Sequence, residues 1–204
     1  LRYYPQKDFP ILLKFIDTNK DLSIQVHPND LYAKAHGLSS GKEEMWYIIK
    51  TDEFAKILIH HDFSSKTDLM NAIRDNTLLK HLNYEFTYPG ETYYISPGTI
   101  HAIGAGNLLY EAQQSVDVTF RLYDYDRLDS NGNKRDLHIN EAIDVIDYVR
   151  DLDIHIAHVD KAQHTSHLFA EHFTTTIIEI LEQEEINIDG YFHTFGVLKG
   201  ECVI

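Results

Sequence analysis

The chain reads as a mainly β protein with short helices let into it, and three features of the sequence say so. Runs of strand length, rich in β-branched and aromatic residues, recur between residues 11 and 125 and are separated by clusters of Asp, Asn, Gly and Pro. The β pattern breaks at Ser64 to Leu82, where leucines fall at helical spacing. One apolar stripe, Ile139, Ala142, Ile143, Ile146 and Val149, then marks a helix over His138 to Val149.

Ile11 to Ile16 is a mostly apolar run ended by the polar cluster Asp17 to Asp21, and it is expected to pair as a hairpin with Leu22 to His27. Gln25 and His27 lie two positions apart in extended chain, so both side chains share one face. His27 precedes a proline and is held in the β region, which makes it the last paired position before Pro28-Asn29-Asp30 turns the chain away. Asp30 to His36 carries Leu31, Tyr32 and Ala35 at helical spacing and is closed by Gly37. Ser39-Ser40-Gly41 is a turn that delivers Lys42 and Glu44 to the next strand.

In Glu44 to Lys50, Glu44, Trp46 and Ile48 face one way and Met45, Tyr47 and Ile49 the other. Both faces are apolar, so the strand should be covered on both sides. Phe54 to His60 reads as its hairpin partner, and the adjacent His60-His61 as a solvated strand end whose rings point to opposite faces. Ser65-x-x-Asp68 resembles a capping box ahead of Leu69, Met70 and Ile73, and Leu78, Leu79 and Leu82 follow at similar spacing. Two short helices on the flank of the sheet are expected there, with Met70 and the leucines in the core.

Tyr84 to Tyr88 and Tyr93 to Ser96 flank a Pro89-Gly90 turn, and Pro97-Gly98 makes a tight turn that puts His101 at a strand end. Leu108 to Gln114 and Val116 to Tyr125 are further strands. In the second of these Val118, Phe120 and Leu122 share one face, and Asp117, Thr119, Arg121 and Tyr123 the other. That polar face either meets water or lines a cavity. Asp124 to Arg135 reads as an exposed loop turning at Asn131-Gly132, and Thr174 to Leu181 as a β-branched strand beyond the helix.

Gln25 and His27 at a strand end make half of a metal site, and Glu44 and His101 are the candidates for the other half. Together they form an N/O ligand set. A denser group, His155, His158, His164, His167 and His172, has no carboxylate or Cys recurring with it at ligand spacing and is not read as a second metal site.

With 204 residues, 43% hydrophobic and 25% charged, the chain can bury one good core and part of a second. No run approaches the roughly 18 apolar residues of a membrane helix, and no basic segment followed by an apolar one opens the chain. The single Cys202 cannot form an internal disulfide and suits a reducing compartment, with the cytoplasm as the default. A net charge of −14 argues against general nucleic-acid binding.

The segments Leu22-Ser23-Ile24-Gln25-Val26-His27-Pro28, Gly41-Lys42-Glu43-Glu44-Met45-Trp46-Tyr47, Pro97-Gly98-Thr99-Ile100-His101-Ala102 and Val118-Thr119-Phe120-Arg121-Leu122-Tyr123-Asp124-Tyr125 occur in this order, and in them the chain resembles the type I mannose-6-phosphate isomerases, zinc-dependent cupins, especially the shorter bacterial kind. The likeness spans most of residues 1–150. Gln25-x-His27 departs from the His-x-His of cupins at large but fits this family, and Ser96 stands where many cupins carry a proline.

The resemblance implies a cupin, a jelly-roll β-barrel, over residues 1–135 with the helical insertion at about 64–82. A connecting helix and linker would follow at 136–164, and the start of a second, apparently incomplete β domain at 165–204. The chain starts at Leu1 and stops at Gly200-Glu201-Cys202-Val203-Ile204 in what reads as a strand region, which suggests a piece of something longer.

The resemblance also implies one zinc ion per chain held by Gln25, His27, Glu44 and His101, a catalytic Arg121, and Lys42, Glu111 and Asp117 in or beside the site. The reaction it implies interconverts D-mannose 6-phosphate and D-fructose 6-phosphate through an enediol(ate). The metal with Lys42 and Arg121 would give a sugar phosphate its positive cluster inside an acidic molecule. Two other classes compete: a cupin oxygenase using His27, His101 and Glu44 as an iron triad, and a sugar-binding cupin without turnover. Neither the proton carrier nor the oligomeric state is fixed by these motifs.

Overall fold

Two antiparallel sheets face each other in a computed structural model of the chain, which describes residues 9–148, 157–158, 165–187, 192–201 and 203. The first has five strands, in spatial order Ile11–Asp17 (β1), Asn107–Gln114 (β8), Glu44–Thr51 (β3), Glu91–Ile95 (β6) and Ala157–His158 (β10). The second joins a three-stranded part, Leu82–Phe86 (β5), Lys56–His61 (β4) and Ala102–Ile103 (β7), to a two-stranded part, Ile24–Val26 (β2) and Phe120–Tyr123 (β9). A β-bridge between Gln25 and His101 makes the join. Trp46, Ile48, Tyr93, Ile95 and Leu109 from the first sheet pack against Ile57, Ile59 and Ile103 from the second. That layer is the core of a jelly-roll barrel, the mainly β fold expected of a cupin.

Each sheet is also covered on its outer side. Ile24, Val26, Phe120 and Leu122 turn outward and pack with Leu69 and Ala72 of Lys66–Arg74 (α2) and with Ala142 and Ile143 of Ile139–Val145 (α3). On the other side, Met45 and Ala112 meet Leu168 from the hairpin of Thr165–Phe169 (β11) and Thr174–Ile178 (β12). The apolar alternation of β3 is thereby explained, since Trp46 and Ile48 enter the barrel while Met45 and Tyr47 face the hairpin. Among the described residues no helix is long and apolar enough to cross a membrane.

The helices start where the capping chemistry puts them. Asn29 Oδ1 accepts from Tyr32 N at 2.8 Å and opens Asp30–Ala35 (α1), and Ser65 Oγ accepts from Asp68 N at 3.2 Å and opens α2. The second stretch of the insertion is only a 3-10 turn, Leu78–His81. Leu69, Leu78 and Leu82 are buried as expected, but Met70 is 56% exposed and Leu79 45%. Met70 follows Leu69 by one position, about 100° round the helix, which carries it off the buried face.

Strand pairing departs from the sequence reading in two places. The segment β1 does not form a hairpin with β2; it pairs with β8 from Ile11↔Gln114 to Asp17↔Leu108. The Thr18 hydroxyl donates to Gly104 O at 2.7 Å and accepts from Asn107 N at 3.0 Å, so the end of β1 is tied to the start of β8. Residues 19–23 then cross to the opposite sheet, where Leu22 N donates to Ile103 O at 2.8 Å.

Likewise β4 pairs with β5 and β7, not with β3, whose neighbours are β6 and β8. The chain changes sheets between β1 and β2 and again between β3 and β4, so neither of these sequence neighbours is a pair. The strand expected over Val116 to Tyr125 is also shorter. Residues 116–119 are outside any strand and only Phe120–Tyr123 pairs, while α3 ends at Val145; Val149 lies outside the described residues.

Leu69→Ala is expected to cost about 2–5 kcal/mol in chemical denaturation, because it opens a cavity between α2 and the sheet. Met70→Ala should stay within about 0.5 kcal/mol. Equal losses for the two variants would mean that α2 does not present the face described.

Candidate metal centre

The outward turn of Ile24 and Val26 sends Gln25 and His27 into the barrel, since neighbours in a strand alternate. Across from Gln25, His101 exchanges backbone hydrogen bonds with it, Gln25 N to His101 O at 3.0 Å and His101 N to Gln25 O at 2.9 Å. The turn that brings His101 there runs through Gly98 at φ +89°, where a side chain would be strained, and Gly98 N donates to His27 O at 2.9 Å. Glu44 enters from the other sheet as the first residue of β3.

His27, Glu44 and His101 are buried, and one ligating atom from each falls within a sphere of contacts no wider than 4.8 Å. His27 Nε2 lies 3.2 Å from Glu44 Oε1, and His101 Nε2 lies 3.7 Å from Glu44 Oε2. Gln25 Nε2 is 3.3 Å from His101 Nε2, and Ser23 Oγ donates to Gln25 Oε1 at 3.3 Å. A half-turn of the Gln25 amide offers an oxygen to the same point. Because His101 Nδ1 is 2.9 Å from Thr99 O, which can only accept, the proton sits on Nδ1 and the Nε2 lone pair faces the cluster.

Both ring nitrogens of His27 and Oε2 of Glu44 are buried without a hydrogen bond. Burial lowers the pKa of both imidazoles, that of His101 to about 3, so the rings are neutral. Burial alone would raise Glu44, but His27, Lys42 and His101 outweigh it and hold the carboxyl well below its ordinary range. Two neutral imidazoles, a carboxylate and an amide with lone pairs converging on one point fit a divalent cation. The group His27, Glu44 and His101 can bind a metal ion.

Two lysines flank this group. Lys42, buried, lies 3.0 Å from Glu44 Oε1 through its Nζ. Glu111, inward on β8, accepts from Trp46 Nε1 at 3.0 Å and from Lys14 Nζ at 2.7 Å, and Lys14 also bonds Gln113 Oε1. Burial and then the charge of Glu44 push the Glu111 carboxyl up, against Lys14 and Lys42.

The sequence reading missed Lys14. Its signal was a lone cation in the apolar run Ile11 to Ile16, two positions from Ile16, which packs on the barrel core. Arg121 stands directly across from Gln25, with Nη1 donating to Asp136 O at 2.8 Å and Nε buried without a partner. Asp117 is exposed in residues 116–119 and joins none of these contacts.

Of the histidine-rich tail, His155 and His164 lie outside the described residues, as does the side chain of His158. His167 Nδ1 is 3.0 Å from Thr176 Oγ1, and His172 reaches two carboxylates, Asp30 and Glu43, that lie far away in sequence. Ligand spacing along the chain has no way to register such partners.

No family model matches the chain. It is 40% identical over 172 residues to the mannose-6-phosphate isomerase ManA of Bacillus subtilis, covering 84% of this chain and 52% of that protein. It is 44% identical over 138 residues to the mannose-6-phosphate isomerase of Streptococcus mutans, covering 68% of this chain and 44% of the other. The crystal structure of the mannose 6-phosphate isomerase from Bacillus subtilis superposes with a TM-score of 0.69 at 36% identity, over 87% of this chain and 55% of that one. The chain spans about half the length of the curated relatives it matches.

The imidazoles give a pH test. Their folded pKa values lie below the ordinary 6.5, so as pH falls below that value the unfolded chain takes up protons that the folded chain refuses. Metal-free protein should therefore lose stability as pH drops from about 6.5 towards 3, and regain it as pH rises. Nitrogen-detected NMR of the metal-free protein should find His101 as the neutral Nδ1–H tautomer down to about pH 4. A His101 midpoint near 6.5 would contradict the buried geometry.

Proposed function

We propose that this chain, a relative of the mannose-6-phosphate isomerases over the half of their length that it spans, carries the catalytic barrel of such an enzyme and interconverts D-mannose 6-phosphate and D-fructose 6-phosphate. The observation that carries the reading is the buried donor set of His27, Glu44 and His101, in which both ring nitrogens of His27 and Oε2 of Glu44 lack a hydrogen bond, with Gln25 beside it. We take that set, with Gln25, to hold one zinc ion. Residues 1–135 are taken as the barrel, 136–164 as the connector and 165–204 as part of a second β unit. Its substrate would be a small sugar phosphate, with the cytoplasm as the place of action and no role for nucleic acid.

Moving the carbonyl from C1 to C2 requires a proton to leave one carbon and return to its neighbour, and negative charge gathers on the substrate oxygens as it does so. Zinc, when bound, supplies Lewis acidity to those oxygens. The chain's own part is to place cations beside the buried donor set. Arg121 brings fixed positive charge across from Gln25, and Lys42 brings another beside Glu44. Glu111, whose carboxyl is pushed up by burial, and Lys42 are the groups placed to carry the proton. Asp117 would act, if at all, from the rim.

A second reading has one observation in its favour, because two histidines and one carboxylate are also the set that non-haem iron prefers. Metal analysis separates the two, since zinc is colourless and redox-silent.

The reading is tested by a coupled assay on mannose 6-phosphate with and without a chelator; activity indifferent to the chelator would overturn it. His101→Ala should lose stoichiometric zinc and turnover together while circular dichroism stays that of the folded barrel. Arg121→Lys keeps the charge but loses the planar fork. It should keep zinc and lose about ten- to a thousand-fold in kcat, as when one transition-state donor is removed. A rise in KM with kcat unchanged would make Arg121 a phosphate anchor instead.

A further inference from the structure

The segments that carry His27 and Glu44 meet as closely as backbone allows. Lys42 N donates to Pro28 O at 3.0 Å and Gly41 N to Asp30 Oδ1 at 2.6 Å. A Cβ on Gly41 would stand 2.5 Å from Asn29 C and 2.6 Å from Asp30 N, so only glycine allows this approach. One segment carries His27 and the other Glu44. Their relative position therefore sets the gap between two of the candidate ligands.

A third piece of chain lies across this seam. His172, in the loop of the β11–β12 hairpin, places Nε2 2.8 Å from Asp30 Oδ2 and Nδ1 3.0 Å from Glu43 Oε1. Its backbone N donates to Glu43 Oε1 at 2.6 Å, and Glu171 N donates to Glu43 Oε2 at 3.2 Å. Tyr94 Oη donates to the same Oε2 at 2.7 Å, and Glu43 N donates to Gln114 Oε1 at 3.0 Å. Glu43 is 1% exposed. A carboxylate so buried is costly without a cation, and among the described residues the ion pair it makes is with His172. Burial alone would lower the His172 pKa, but Glu43 and Asp30 outweigh it and favour the imidazolium, which donates from both nitrogens.

We infer that His172 is a positioning residue for the metal centre: from the hairpin it clips the His27 segment to the Glu44 segment, so that seating the hairpin and holding the metal are coupled. The inference rests on the reading that His27, Glu44 and His101 hold a metal ion. It adds that the hairpin, which contributes no ligand, helps to set the affinity. Coupling of this kind is reciprocal, so zinc must also steady the hairpin.

The test compares the chain with its His172→Ala, His172→Gln and His167→Ala variants. Zinc affinity is read by competition with a chromophoric chelator, and hydrogen exchange over residues 165–178 is read with and without zinc. His172→Ala should bind zinc about ten- to a hundred-fold more weakly, the usual cost of removing an outer support of a metal site. In that variant zinc should no longer slow exchange in the hairpin, whereas in the unmodified chain it should. His172→Gln keeps a donor for one carboxylate and should fall between, and it serves if the alanine variant does not fold.

His167→Ala, in the same hairpin but away from the seam, should match the unmodified chain. Unchanged zinc affinity in both His172 variants, or equal protection of the hairpin by zinc in them, overturns the clip. An unmodified chain that takes up no zinc overturns the metal reading itself, and the inference with it.

Discussion

Gln25 and His101 exchange two backbone hydrogen bonds, and most of the architecture leans on that exchange. The bonds join β9-β2 to β7-β4-β5 and so complete the second sheet. They also fix the phase of β2, and with it the face to which Gln25 and His27 belong. A slip of one residue would send Ile24 and Val26 into the barrel and the donors out among the helices. The apolar layer supplied by α2 and α3 opposes that slip, because it has buried Ile24 and Val26 already. Core packing on one side of the strand thus specifies chemistry on the other.

Charge inside the barrel runs against charge outside. The chain carries −14 overall, yet Lys14 and Lys42 meet the buried carboxylates Glu111 and Glu44, and Arg121 stands across from Gln25. Each carboxylate is met by a lysine, and Glu111 also by the Trp46 indole. Such groups are tolerable in a buried site because they are paired, and the pairing fixes their positions. The acidic surface serves solubility and has no need to match the site.

Faces were legible in the sequence because side-chain alternation is a local property. The inward set Glu44, Trp46 and Ile48, the cap at Ser65 and the turn at Pro97-Gly98 were readable from short windows, whereas His27, Glu44 and His101 were singled out together only through four ordered motifs taken in combination. Pairing was not. The partner of β1 is β8 and that of β4 is β5, because the connections cross between sheets, and nothing in residues 17–21 or 51–55 records which sheet the chain rejoins. Lys14 was passed over for the same reason, since its partner Glu111 is 97 positions away. His172 needed Asp30 and Glu43, which are 142 and 129 positions away.

The crossing of the chain between sheets also orders events in time. Gln25 and His101 are 76 residues apart, and β3, which brings Glu44 to His101 from the opposite sheet, sits between β6 and β8. Long loops must close before these contacts return any free energy, so a topology of this kind assembles slowly. During synthesis the donor set is incomplete until residue 101 has emerged, and Glu44 is not flanked on both sides until β8 has followed. A metal ion offered earlier meets only fragments of its site. The candidate metal centre is thus among the last features of the barrel to be completed, because its donors come from both sheets and from segments far apart in sequence.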